Sequence, residues 1–262
     1  MNTNTFQTKI GDHHIQINSC SSQVLAALSK DFPSFHPSKK PDIEMTIEDG
    51  YGVSFQGYEV DIKKSEEFIS FTRADYQLQV QPDFKRAALF VHDELALKHA
   101  LMNFYSSYIV HHNWGLLIHS SCVVDGQGAH LFSGRSGAGK STAAQLSCPR
   151  TLLSDEATIV KITMDSVIVY DSPFRSELRA SGTEEMVPLE SIHLLHQSLT
   201  NKRVEVKKSD ALLQLMDKVF YWPHKKEEAA SILFLLKRLV EHSAVYDLYF
   251  QKNNTFWELI SS

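Results

Sequence analysis

The sequence predicts an α/β chain with a mixed sheet. A core carrying a phosphate-binding loop (residues 93–262) follows a small, strand-rich accessory domain (residues 1–92). Three observations lead there. Gly134-Arg135-Ser136-Gly137-Ala138-Gly139-Lys140-Ser141 has the spacing G-x-x-x-x-G-K-S, between an apolar strand at 128–132 and a helix over 141–146. The strand before this loop returns from another at 115–124 through the turn signal Asp125-Gly126, so the loop ends a hairpin at a sheet edge instead of opening a βαβ unit. Residues 6–91 alternate in short segments such as Tyr76-Gln77-Leu78-Gln79-Val80, broken by Gly, Asp and Pro.

Further elements follow in order. A brief helix is expected at 23–28 and a Pro-bounded loop at 33–41. Residues 93–112 place Leu97, Leu101, Phe104 and Tyr108 at the spacing of a core-facing helical stripe. Two short strands lie within 159–169 around Met164-Asp165, helices at 211–220 and 227–240, and a late strand at 245–250.

Composition narrows the function classes. A chain of 262 residues, 43% hydrophobic, suffices for one domain plus an appendage with a substantial core. A net charge of −5 with scattered Lys and Arg argues against a nucleic-acid partner. No apolar run approaches the ~20 residues of a membrane span. Residues 1–5 lack the apolar core of a signal peptide, so a cytoplasmic protein without a membrane partner is expected. Cys20, Cys122 and Cys148 are odd in number and far apart, which fits a reducing compartment and neither a disulfide framework nor a zinc site. The adjacent pairs His13-His14 and His111-His112 do not share a face, so they read as solvated surface and not as ligands.

The chemistry centres on the glycine loop. Gly134, Arg135, Ser136, Gly137, Ala138, Gly139, Lys140, Ser141 and Thr142 form the expected cradle for ATP or GTP, with backbone N–H groups turned toward the phosphates. Lys140 meets the β- and γ-phosphates, and the Ser141 hydroxyl ligates Mg²⁺. Phosphoryl transfer also needs a positioned nucleophile and charge neutralisation. Asp155, 15 residues after Lys140 at the end of the apolar run Leu152-Leu153, is the candidate base, while Glu156 points the opposite way along a strand. His119, on the first hairpin arm, is placed to assist. In the Pro-led loop 173–182, Glu177 faces the site as an acid, and Arg175 and Arg179 would hold a substrate carboxylate through paired N–H bonds.

These residues resemble HPr kinase/phosphorylase, of the phosphoenolpyruvate-carboxykinase-like group, and more closely its shorter serine-kinase relatives. Specific motifs span 119–177, with a looser likeness to 250. Leu117-Ile118-His119-Ser120-Ser121 resembles the family's histidine-bearing strand, and Leu153-Ser154-Asp155-Glu156 its paired-acid strand. The resemblance implies a P-loop kinase core, Asp155 as proton acceptor, Glu177 with Ser141 as Mg²⁺ ligands, and a possible homo-oligomer. The family's R-G-x-G-I signature and basic C-terminal docking segment do not occur here, which points away from HPr as substrate. Some short relatives phosphorylate ribosomal precursor peptides, including the C-terminal serine of lasso-peptide precursors. The expectation is therefore an ATP- and Mg²⁺-dependent kinase for a serine on a peptide or protein. A nucleotide-sensing regulatory module and a small-molecule kinase are the alternatives. A likeness to ABC transporter ATPases fails on spacing, because their motifs are separated by a long segment with an L-S-G-G-Q signature.

Overall fold

In the computed structural model, which describes residues 3–35, 39–176, 178, 186–223 and 225–261, the chain divides into two units of mixed α/β structure. Glu177 and Arg179 lie outside the described residues.

The first unit comprises Met1–His111 and Tyr221–Lys226. Its seven-stranded sheet has the order β1-β2-β3-β7-β6-β5-β4, with β1 Asn4–Ile10, β2 His13–Ser19, β3 Ile43–Asp49, β4 Asp61–Lys64, β5 Ile69–Thr72, β6 Tyr76–Val80 and β7 Arg86–Val91. Strand β3 is parallel to both β2 and β7, and the other pairings are antiparallel. Alternation explains the sheet: Ile43, Met45 and Ile47 face the core while Glu44, Thr46 and Glu48 do not. Helix α1 (Ser22–Asp31) starts where the Ser21 hydroxyl accepts the Val24 N–H. Helix α2 (Glu94–His111) buries the expected stripe and most of its other faces as well. It packs on β6 and β7, so the first unit runs on through α2 instead of stopping at the expected boundary after residue 92.

One surface expectation is corrected here. His13 and His14 are both buried, because β2 is an inner strand covered on both faces: His13 meets the Tyr105 and Tyr108 rings of α2, and His14 the Phe35 ring. The His13 Nδ1 lies 3.1 Å from the Tyr105 hydroxyl. A shallow depression of about 420 Å³ opens on this sheet among Asn18, Glu44, Thr46, Gln79 and Arg86. No glycine-loop residue lines it.

The second unit comprises His112–Phe220 and Glu227–Ser262. Its strands are β8 Gly115–Asp125, β9 Gly128–Ser133, β10 Leu152–Ser154, β11 Ala157–Ile162, β12 Val167–Tyr170, β13 Met186–Gln197, β14 Lys202–Glu205 and β15 Ala244–Phe250. Strands β8, β11, β12, β13 and β9 pair in a closed cycle, a five-stranded barrel that β15 and β14 extend from β13 and β10 from β8. Gly115 allows the closure on one side: a Cβ there would stand 2.0 Å from the Val160 carbonyl oxygen.

The hairpin of β8 and β9 forms as expected, but β9 is not an edge. It pairs antiparallel with β8 and parallel with β13, and β13 is in turn parallel to β15. The loop's strand therefore does have parallel neighbours. Helices α4 (Lys208–Met216) and α5 (Lys226–His242) lie in the crossover from β13 to β15. Helix α3 (Lys140–Leu146) packs beside β8 and β9, and a 3-10 turn at Asn254–Leu259 closes the same face. Phe132, Leu195, Leu248, Phe250, Phe256 and Trp257 form the core beneath it. The Trp257 indole N–H donates to Ser147 Oγ at 3.0 Å, fastening the end of α3 to this tail.

Candidate active site

The glycine loop spans the gap from β9 to α3, and its glycines are required by position. Gly137 and Gly139 have φ of 76° and 107°, left-handed values that L-residues avoid. A Cβ on Gly139 would also sit 2.7 Å from the Phe250 ring, and one on Gly134 2.8 Å from Ala138 Cβ. The loop is thus packed against the carboxyl end of β15. Gln197, last residue of β13, donates its side-chain N–H to the Gly137 carbonyl at 2.7 Å. Lys140 is only 9% exposed. Its ammonium donates to the Gly134 and Arg135 carbonyls at 3.2 and 3.3 Å. Ser141, by contrast, is exposed at the start of α3.

Residues 119–121 of β8 gather the other groups. Ser121 Oγ donates to the Lys140 carbonyl at 3.0 Å, and Ser133 Oγ donates to the His119 carbonyl at 2.9 Å. His119 thereby sits beside the loop's first turn. Burial, then the charges of Lys140 and Lys218, lower its pKa to about 4, so the imidazole is neutral at pH 7. Burial and then Lys218 lower the pKa of Lys140 as well.

Lys218 is the residue the sequence reading missed. The helix expected over 211–220 ends at Met216, and the chain then runs antiparallel beside β8. The His119 N–H donates to the Lys218 carbonyl at 2.7 Å, the Phe220 N–H to the Leu117 carbonyl at 2.9 Å, and the Phe220 ring lies 5.3 Å from that of His119. The run Val219-Phe220-Tyr221, β-branched and aromatic, was the available signal for an extended segment. The Lys218 side chain is 11% exposed and its ammonium meets Asp217 at 2.6 Å.

Asp155 follows β10, just past a register shift between Leu152 and Ser154, in the segment between the Ser154–Cys122 and Ala157–His119 pairings. Three hydroxyls hold this corner. Ser120 Oγ donates to Thr158 Oγ1 at 2.6 Å, and Ser154 Oγ lies 2.5 Å from the same oxygen. The Asp155 carboxylate is buried and accepts the N–H of Ser176 at 3.0 Å and of Leu178 at 2.8 Å. It anchors the loop that follows β12. Glu156 contributes its carbonyl to the Ser120 N–H.

Arg175 departs from its expected role. Its Nη2 donates to the Leu152 and Leu153 carbonyls at 2.9 and 3.0 Å and pairs with Asp171, while its Nε donates to the Ser172 carbonyl. The side chain is 8% exposed. A guanidinium has five N–H donors in a fixed fork, and here Nε and Nη2 tie β10 to the loop after β12. Such a fork does not present itself to a substrate carboxylate, so Arg175 is a structural staple.

The site therefore joins a glycine loop with its lysine, a neutral histidine, a second, largely covered lysine and a carboxylate that organises the adjoining loop. Among the described residues no three His, Cys, Asp or Glu side chains cluster as a metal site. The donors present fit Mg²⁺ held jointly by the exposed Ser141 hydroxyl and phosphate oxygens, since Mg²⁺ keeps few protein ligands. No protein-family model matches this chain, and no curated protein matches it.

Proposed function

We propose that this chain is an ATP-dependent serine kinase acting on a peptide or protein, built on a P-loop kinase core like that of HPr kinase/phosphorylase. One observation carries the reading: the glycine-loop lysine, His119 and the Asp155 corner are all held against residues 119–121 of one strand. A protein that only senses a nucleotide has no need of a neutral imidazole beside the loop lysine, with a buried carboxylate on the segment that pairs with the same strand.

In this reading the amides of residues 134–142 and Lys140 hold the phosphates. The Lys140 ammonium exchanges its two carbonyl acceptors for phosphate oxygens, gaining charge-assisted bonds in a partly buried site. Mg²⁺ supplies charge neutralisation, with Ser141 as its protein ligand. Asp155 takes the proton of the incoming serine. A carboxylate has about four acceptor sites, so anchoring residues 176 and 178 and serving as base are compatible. His119, uncharged, can pass that proton on through its two ring nitrogens, and with its pKa lowered to about 4 it does not retain it as an imidazolium. Lys218 supplies a third donor where the transferred phosphoryl develops charge.

The test is phosphate transfer from γ-labelled ATP to serine peptides. Lys140→Ala should abolish transfer and weaken ATP binding, whereas Asp155→Asn should keep ATP binding and cut turnover by about 10²–10⁴-fold. Undiminished turnover in Asp155→Asn would remove Asp155 as the base. ATP binding by the wild type with no transfer to any hydroxyl would favour the sensing module instead.

A further inference from the structure

We infer that the nucleoside half of the bound nucleotide lies on a preformed shelf at the carboxyl ends of β13 and β15, with the base resting on Leu199. The inference rests on the nucleotide reading of the glycine loop and concerns the part of the ligand that the loop does not hold.

Direction comes first. The glycine loop leaves the carboxyl end of β9, which lies between β8 and β13 in the sheet. His119, the Asp155 corner and Lys218 all lie on the β8 side. A polyphosphate whose reactive end faces them must send its other end toward β13 and β15. Those strands are parallel to β9, and ligands of parallel sheets bind beyond the carboxyl ends of the strands.

The shelf is already ordered and joined to the loop. Gln197 and Phe250 are cross-strand partners at the ends of β13 and β15, and each touches the loop, Gln197 at the Gly137 carbonyl and Phe250 at Gly139. Beyond them the backbone is tied down at several points. The Ser198 N–H donates to the Phe250 carbonyl at 3.1 Å and the Thr200 N–H to Ser198 Oγ at 3.2 Å. Gln251 donates its side-chain N–H to the Leu199 carbonyl at 2.6 Å and its backbone N–H to Asn201 Oδ1 at 2.8 Å. Asn201 Nδ2 donates to Thr255 at 2.6 Å.

On this rigid support Leu199 is 92% exposed, the most exposed of the large apolar side chains among the described residues. It lies two positions beyond Gln197, a chain reach of about 7 Å, comparable with a ribose and its first phosphate. An apolar side chain carried on a hydrogen-bonded backbone and held in water at that distance from a phosphate loop suits the flat face of a base. The amide side chains of the shelf, Gln251 and Asn201, are engaged in building it. Base identity is therefore read weakly, and ATP and GTP should bind within a few fold of each other.

Calorimetric titration with ATP, GTP and inorganic tripolyphosphate, all with Mg²⁺, tests this. Leu199→Ser should weaken ATP and GTP by about fivefold and leave tripolyphosphate unchanged. Leu199→Trp should tighten both nucleotides and again leave tripolyphosphate unchanged. At an exposed position neither substitution threatens folding. Wild-type affinity for ATP equal to that for tripolyphosphate, or ATP affinity indifferent to both substitutions, would overturn the shelf while the phosphate loop stands. Failure of the wild type to bind either ligand would overturn the nucleotide reading, and the shelf with it.

Discussion

Each unit of this protein contains a buried cation beside a histidine whose pKa falls to about 4, yet the two clusters are built for different ends. In the first unit Arg73 donates from Nε and Nη2 to both oxygens of Asp75, at 2.6 and 2.8 Å, with side chains 4% and 0% exposed. Phe55 and Tyr76 cover the guanidinium, and Nη2 lies 2.8 Å from His99 Nδ1. Positive and negative charge close on each other. In the second unit the charges that act on His119, after burial, are those of Lys140 and Lys218. The acid nearest Lys218 is Asp217, whose own side chain is 71% exposed and well screened. A neutralised cluster holds a fold together, whereas two lysines facing a neutral imidazole in a partly desolvated site leave a field that an anion can satisfy.

Breaking the first cluster should have the largest effect. Asp75→Ala leaves Arg73 buried and unpaired, and should cost about 3–5 kcal/mol of stability. Urea denaturation would measure the loss, and tripolyphosphate affinity below the transition should be unchanged. A fall in that affinity would mean the two clusters are not independent.

Arg175→Ala should cost less, about 2–3 kcal/mol, because it frees the carbonyls of Leu152, Leu153 and Ser172. Peptide affinity should change little beyond what the loss of stability explains. A selective loss of peptides with a free C-terminal carboxylate would restore Arg175 as a substrate contact.

Lys218→Ala inverts the pattern. Removing a lysine that depresses the pKa of both its neighbours should leave stability nearly unchanged, while triphosphate affinity falls about tenfold and becomes less salt-dependent. Lost stability with unchanged affinity would make Lys218 a packing residue.

The smallest and most discriminating effect is in the histidines. Both folded values lie below the ordinary 6.5, so the unfolded chain binds these protons more readily. Their contribution to stability is complete above about pH 6.5 and is lost progressively as pH falls toward 4. Adding tripolyphosphate should raise the His119 midpoint in an NMR titration, because the anion offsets Lys140 and Lys218. The His99 midpoint should stay fixed. Parallel shifts in both would erase the distinction between the clusters.

The sequence by itself determined what is local. The glycines at 137 and 139, the turn at Asp125-Gly126 and the stripe along α2 each follow from backbone sterics or from the period of apolar residues, which a short window contains. The tertiary structure decided what depends on partners far along the chain. Strand β13 escaped the pattern because closing a barrel buries most of Ile192–Leu195 on both faces, which removes the alternation that marks a strand, and Pro188, Glu190 and His193 obscure the rest. The same closure moved the glycine loop from a sheet edge to a place between antiparallel and parallel neighbours. Arg175 could not be told from a substrate contact, since a guanidinium fork suits a carboxylate and backbone carbonyls equally. Only the approach of β10 and Asp171 selected between them. Lys218 stands 78 residues after Lys140, and what brings their charges together is a strand pairing between Ile118 and Val219. Charge acts through space, so a sequence that fully specifies each lysine is silent on their meeting until the chain has folded.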